Sequence, residues 1–386
     1  MSADKTVESS KRQSALGLVN CLWTQYRPYV LGLVIAIMAA IACHRMTNNF
    51  SRLLVEDRFV AAIDLRFRYK ELHHWFAGRT LYREVNTAVY PPASYAMLWP
   101  FLGYSSFTVV RWIWGGTSAA ALAWLVYLFL RGSNAQPPVE RVFVALLPLS
   151  TYPAAAAIGH GQLPMHALAC MLTGVLLAWR APPSWGRDVL AGVLILAGLV
   201  KPSVTAPFFL LVLLPARRRA ALIAAIGYAV LTLVSVSFQG FDLIGVLTAW
   251  VGHAVSGTSV TSIAARRGGY ANLHNWLAIV GLERWNPLVS LLALIALGFW
   301  TYRHRDRDLW TLLGVVSIAA RFWTYHRHYD DMLILVAVIA LYRIARRGST
   351  GSACGVLSGM VFVVGAMSIL TPTRLLAAPP PVGTLF

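Results

Sequence analysis

Apolar runs long enough to cross a bilayer recur along this chain from Pro28 to Leu370, and that recurrence constrains its fold more than any single motif. Backbone in lipid must satisfy its own hydrogen bonds, and continuous rather than alternating apolar runs do so as helices. Of the 386 residues, 58% are hydrophobic and only 12% charged, which excludes an ordinary soluble enzyme. The expectation is an all-α polytopic membrane protein forming one integral domain over residues 1–386.

The formal charge of +18 would suggest nucleic acid in a soluble chain. Here the basic residues cluster in short loops between apolar runs, so most of the charge reads as topology and no nucleic-acid partner is expected. Residues 1–27 are polar and basic and belong on the cytoplasmic side, with Pro28–Cys43 as an uncleaved signal-anchor helix. The remaining clusters are Arg131/Arg141, Arg180/Arg187, Arg217–Arg219, Arg303/Arg305/Arg307 and Arg343/Arg346/Arg347. They divide the apolar sequence into pairs at 107–130 with 140–158, 162–180 with 187–200, 203–216 with 219–237, 286–302 with 308–325, and 331–345 with 353–371. With the first helix this gives about eleven spans. Cys21, Cys43, Cys170 and Cys354 lie far apart with no metal-type spacing, so neither a disulfide framework nor a zinc site is indicated.

Two outer loops are expected, at 44–106 and 238–285. The first breaks the charge rule, because His44 to Asn86 holds eight Lys/Arg yet follows the first helix and must face outward. Cations kept there are explained by anions on that side, such as lipid phosphates. Residues 59–77 alternate apolar and charged side chains at helical spacing, as in a helix lying on the membrane surface. Within it Asp64 is flanked by Ala61, Ala62, Ile63 and Leu65 and is a candidate base, the alternative being an ion pair with Arg68. Asp57 sits between Glu56 and Arg58 and reads as solvated. After Tyr90-Pro91-Pro92, the run to Pro100 is too short to span and reads as re-entrant.

Lys201-Pro202 interrupts the apolar stretch Val189–Leu214, whose flanks are both basic. Each arm has about a dozen residues and reaches ~20 Å, short of a ~30 Å core. Lys201 is therefore placed at the apex of a hairpin, holding a phosphate or snorkelling to headgroups. The second polar island is Thr324-Tyr325-His326-Arg327-His328-Tyr329-Asp330-Asp331. Its histidines are spaced i,i+2, and no second cluster completes a metal site, so anion binding or orientation of a carboxylate is expected instead.

The motifs Asp64-Leu65-Arg66-Phe67-Arg68-Tyr69, Phe76-Ala77-Gly78-Arg79-Thr80-Leu81-Tyr82, Val89-Tyr90-Pro91-Pro92, Gly161-Gln162, Leu199-Val200-Lys201-Pro202 and Tyr325-His326-Arg327-His328-Tyr329 occur in this order. Together they resemble the membrane glycosyltransferases of family 87. Within that family the pattern is most similar to the polyprenyl-phosphate-mannose-dependent enzymes that add an α-(1→2)-linked mannose to phosphatidylinositol mannosides. The resemblance implies a GT-C fold of about 11–12 transmembrane helices, a lipid-linked sugar donor, a glycolipid acceptor and a plasma-membrane location with the site facing outward. It places the catalytic base on Asp64 and carries His328 over more readily than His326, because Arg327 stands where a histidine is frequent. Lys201, Arg327, Arg321, His326, Gln162, Tyr90 and Arg68 are expected to bind the donor phosphate or substrate.

A single inverting displacement fits these groups, with a carboxylate base and cations that meet the leaving phosphate. No cofactor or metal is expected. There is no nucleotide-binding glycine fingerprint, which argues against a nucleotide-sugar donor. The alternatives are a pentosyltransferase using polyprenyl-phosphate-arabinose and a transporter of lipid-linked sugar.

Overall fold

The computed structural model describes residues 3–57, 61–85, 87–253, 272–347 and 352–371. Among these every regular element is helical. In chain order they are α1 (Ala3–Leu54), α2 (Ile63–Phe76), α3 (Leu81–Glu84), α4 (Pro92–Leu102), α5 (Phe107–Ser133), α6 (Pro138–Ser150), α7 (Tyr152–His160), α8 (Pro164–Ala178), α9 (Trp185–Gly198), α10 (Pro202–Phe209), α11 (Arg218–Ser237), α12 (Leu243–His253), α13 (Leu273–Ile279), α14 (Asn286–Arg303), α15 (Leu309–Phe322), α16 (Met332–Arg347) and α17 (Ala353–Leu370).

Among the described residues five helices are long and apolar enough to cross a membrane: Pro28–Leu54, Phe107–Ser133, Arg218–Ser237, Glu283–Arg303 and Ala353–Leu370. The pair α6 and α7, bent by 43° at Thr151, makes a sixth if it counts as one span. Their outer faces confirm the setting. On α11, Leu222, Ile226, Val230 and Leu233 form an exposed stripe at helical spacing, and α14 and α17 expose similar faces. In water such patches would drive aggregation, whereas lipid accepts them. The chain is membrane-embedded.

The other expected spans hold shorter helices. The 15 residues of α8 reach ~22 Å, and α9 and α15 have 14 each, less than a ~30 Å core requires. After Lys201 the expected dozen-residue arm is only the eight-residue α10, because Pro207 and Pro215 punctuate the segment and residues 210–214 turn. α8 packs on α9 through contacts that admit no side chain: a Cβ on Gly174 would lie 2.9 Å from the Ala191 carbonyl, and one on Gly198 would lie 2.9 Å from Met171.

One boundary differs from the sequence expectation. The first helix does not stop at Cys43 but continues to Leu54, since His44 to Leu54 contains neither glycine nor proline. The first loop therefore opens eleven residues later, and some of its cations serve the protein rather than lipid. Arg45 donates to the carbonyls of Ser150, Leu370 (3.2 Å) and Thr371 (2.9 Å), closing the ends of α6 and α17. Arg111, from α5, donates to the carbonyls of Leu53 (2.5 Å) and Glu56 (2.7 Å) at the end of α1. The second loop, 238–285, carries α12 and α13, and part of it lies outside the described residues.

The expected surface helix is α2, and it is set into the protein instead. It packs against α4, α5 and α7, with Leu65, Arg68, Glu71, Leu72 and Trp75 buried. Trp75 stacks on Tyr95 at 4.9 Å and donates from Nε1 to the Ser235 carbonyl (2.9 Å), which ties α2 to the end of α11. The short run after Tyr90 is α4, 11 residues with Ala93, Ser94, Tyr95, Leu98 and Leu102 buried.

The closest approach in this region is between α2 and the α7–α8 turn. Gly161 has φ +70°, and a Cβ there would lie 2.5 Å from the Leu65 Cβ. The Ala62 amide donates to the Gly159 carbonyl at 3.1 Å across the same contact. Gly161→Ala combines left-handed strain of ~1–2 kcal/mol with an overpacking cost of ~1–3 kcal/mol, so a fall of several kcal/mol in stability is expected. Thermal unfolding in detergent tests this, and an unchanged midpoint would show that the two elements do not press together.

Candidate functional site

Three structural events bring the polar residues to one place. The α7–α8 turn presents His160 and Gln162, the break between α9 and α10 presents Lys201, and the chain between α15 and α16 folds residues 323–331 back toward both. The first turn of α2 supplies Asp64.

His160 Nδ1 stands 3.3 Å from Asp64 Oδ2, with the Asp64 side chain 13% exposed. That oxygen is itself buried. Burial pushes the Asp64 carboxyl up, but hydrogen bonds from His160 and Gln162 and the charges of His160 and Arg68 outweigh it, and its pKa lies below the ordinary value. It is ionised throughout the neutral range. Asp57 is fully exposed, 3.6 Å from Arg111.

Arg68 does not pair directly with Asp64. Its Nη1 meets Glu71 at 2.6 Å, its Nη2 donates to the Thr87 carbonyl at 2.7 Å, and its guanidinium lies over the Tyr90 ring at 4.5 Å. Glu71 also accepts from Thr87 Oγ1 (2.7 Å), and burial pushes its pKa up to about 7 against the pull of Arg68. Arg68 and Tyr90 thus form the wall behind Asp64.

Lys201 Nζ donates to Asp330 Oδ1 at 2.6 Å and lies over the Tyr329 ring at 4.8 Å. Asp330 Oδ2 accepts from the Arg327 amide at 3.1 Å and lies 3.3 Å from His326 Nδ1. Although burial pushes the Asp330 carboxyl up, Lys201 and His326 hold it well below the carboxylate range. Burial lowers His326, which at 1% exposure supports Asp330 from behind rather than facing a substrate. Arg321, expected among the phosphate cations, lies buried with its Nε on Asp331, which also accepts from the Tyr152 hydroxyl. Its charge is thereby balanced inside the protein. Arg327 donates from Nε to the Tyr325 hydroxyl at 2.9 Å and is half-buried.

His328 packs edge-on to His160 at 5.8 Å and beside Tyr329 at 5.3 Å. Burial and the nearby His160 lower its pKa, so it offers a phosphate an N–H rather than a cation. Asp64, His160, His328, Tyr329, Lys201 and Asp330 form one continuous cluster. Among the described residues no group of three or more His, Cys, Asp or Glu side chains is placed to hold a metal.

With this geometry in place, comparison with known proteins adds one finding. The sequence profile of glycosyltransferase family 87 matches residues 88–362, well over half of the chain. The chain belongs to glycosyltransferase family 87. No curated protein and no solved structure matches it. Asp64 precedes the matched segment, so its place in the site rests on contact with His160 and Gln162, which lie inside it. Sequence reasoning missed His160 and Glu71, and named Tyr329 within the polar island without giving it a role. The signal for His160 was available, since it ends an apolar run one residue before Gly161-Gln162, and ionisable groups in such runs are functional by default.

The Lys201–Asp330 pair makes a specific prediction. Lys201→Met strands a buried carboxylate and should cost ~3–5 kcal/mol, whereas Lys201→Met with Asp330→Asn should cost much less. Thermal stability of the two variants checks this, and equal losses would show that the pair is not coupled. A carboxyl depressed on folding stabilises the protein above its unfolded value of ~3.9, and that contribution is lost as pH falls through the lower folded value. The acid unfolding limb of the wild type, attributed to this pair, should therefore be flatter in the double variant below about pH 4.

Proposed function

We propose that this glycosyltransferase moves mannose from polyprenyl-phosphate-mannose to an outer-leaflet glycolipid such as a phosphatidylinositol mannoside, forming an α-(1→2) linkage, with Asp64 as general base. The observation that carries the reading is the shielded Asp64 carboxylate, set against His160 in the same cluster as Lys201, Arg327 and His328. The site would face the outer side of the plasma membrane, with the bilayer delivering both lipids.

In the reaction, an acceptor hydroxyl attacks the anomeric carbon while Asp64 takes its proton. The bond from that carbon to the phosphate oxygen breaks, and its electron pair leaves on the polyprenyl phosphate. One displacement inverts the centre. The developing charge is met by the Arg327 guanidinium, the His328 N–H and a remaining N–H of Lys201, whose charge Asp330 already balances; these fixed donors need no rearrangement as the charge forms. Gln162 and His160 hold the base, and Arg68 and Tyr90 shape the wall behind it. Neither a cofactor nor a metal is required.

Purified protein in detergent, offered polyprenyl-phosphate-mannose and polyprenyl-phosphate-arabinose in parallel, should transfer only mannose. Transfer of arabinose alone would overturn the sugar, and no transfer from either would favour translocation of the lipid-linked sugar. Asp64→Asn should lower the rate by roughly 10²–10⁴-fold with donor binding retained, and Asp57→Asn should be mild. Because the Asp64 pKa is lowered, the limb it imposes should appear only as pH falls below the ordinary carboxylate range. Chelator should leave the rate unchanged, and a loss that magnesium or manganese restores would point to a metal at Asp330, Asp331 and the histidines.

A further inference from the structure

α5, α8 and α9 enclose an open, mainly apolar groove of about 1190 Å³ that leads away from the catalytic cluster. Gln162, beside Asp64, lies just ahead of α8, and the groove begins at His166 and continues past the far end of α8 to Arg180. Small side chains such as Ala121, Ala169 and Cys170 leave the space open. From His166 to Arg180 the helical rise is about 21 Å, more than half of a ~30 Å hydrocarbon core. That length admits an acyl chain.

The rim supplies the second observation. Arg131 and Arg180 both line the groove and both are exposed. Among the described residues neither guanidinium meets a carboxylate, and the side-chain contact of Arg131 is with the Tyr127 ring at 6.0 Å. Of the acids at this end, Asp308 takes Arg343 and Arg347, Glu140 takes Arg346, and exposed Asp306 makes no ion pair with either groove arginine among the described residues. Arg343 also donates to the carbonyl of Gly132, the residue after Arg131, so these pairs belong to the same end of the bundle. A deep apolar channel thus opens onto two uncompensated cations, the complement of a lipid with a negative headgroup.

We propose that this groove binds an anionic phospholipid of the leaflet opposite the catalytic site, with its phosphate on Arg131 and Arg180 and one acyl chain running along α5 and α8 toward His166. The site is separate from those of donor and acceptor and does not depend on which sugar is transferred. A zwitterionic lipid has the same chains but lacks the net charge that the rim selects.

The test uses the full-length protein, purified and delipidated in detergent, then titrated with phosphatidylglycerol or phosphatidylcholine while the thermal midpoint and the lipids retained in native mass spectrometry are followed. The wild type should retain phosphatidylglycerol and gain stability from it more than from phosphatidylcholine. Arg131→Gln with Arg180→Gln should fold normally and bind phosphatidylglycerol roughly 25-fold more weakly, about fivefold for each arginine. Ala121→Trp, which fills the channel and leaves the rim intact, should lose both lipids. The proposal is overturned if the two lipids bind wild type equally, if the double variant retains phosphatidylglycerol as wild type does, or if polyprenyl phosphate competes with phosphatidylglycerol for the groove.

Discussion

The ion pair between Lys201 and Asp330 is the contact on which the site depends. Both groups are buried, and the cost of removing two charges from water is recovered only because each is further satisfied: the carboxylate by the Arg327 amide and His326, the ammonium by the Tyr329 ring. The pair joins the break between α9 and α10 to the turn between α15 and α16, which are far apart in sequence. It fixes His328 and Arg327 relative to the α9–α10 break. The neighbouring contacts of Asp331 with Arg321 and Tyr152 repeat the arrangement one residue later and anchor the same turn to α7.

Much of the fold was legible because lipid leaves the backbone few choices. The apolar runs mark where helices lie, and the basic loops separate them. What the runs could not convey is length. A helix that stops at a buried polar site, such as α9 or α15, has the same composition as one that crosses, and only packing decides between them. The first helix passed its expected end because nothing from His44 to Leu54 breaks it, and the Arg45 contacts with carbonyls of α6 and α17 that this extension places are invisible in local sequence.

The candidate site was legible where a polar residue interrupts apolar sequence, as Asp64, Lys201 and the island around His328 do. It was less legible where two buried groups satisfy each other. Arg68 and Glu71 are three residues apart on α2, a spacing typical of solvated helix surfaces, yet here the pair is internal. Asp64 was weighed against pairing with Arg68, but Glu71 takes that arginine directly and leaves it to act on Asp64 through its field.

The family match ends at residue 362, eight residues before the end of α17. A chain shortened at that boundary would seem to lose only part of a lipid-facing helix. Yet the last carbonyls of that helix region, Leu370 and Thr371, receive two of the Arg45 hydrogen bonds. Truncation would leave a guanidinium deep in α1 with the Ser150 carbonyl alone and unfasten the bend between α6 and α7, from which His160 reaches Asp64. The final helix is therefore a brace for the opposite end of the sequence, and the boundary of shared ancestry is not the boundary of the working unit.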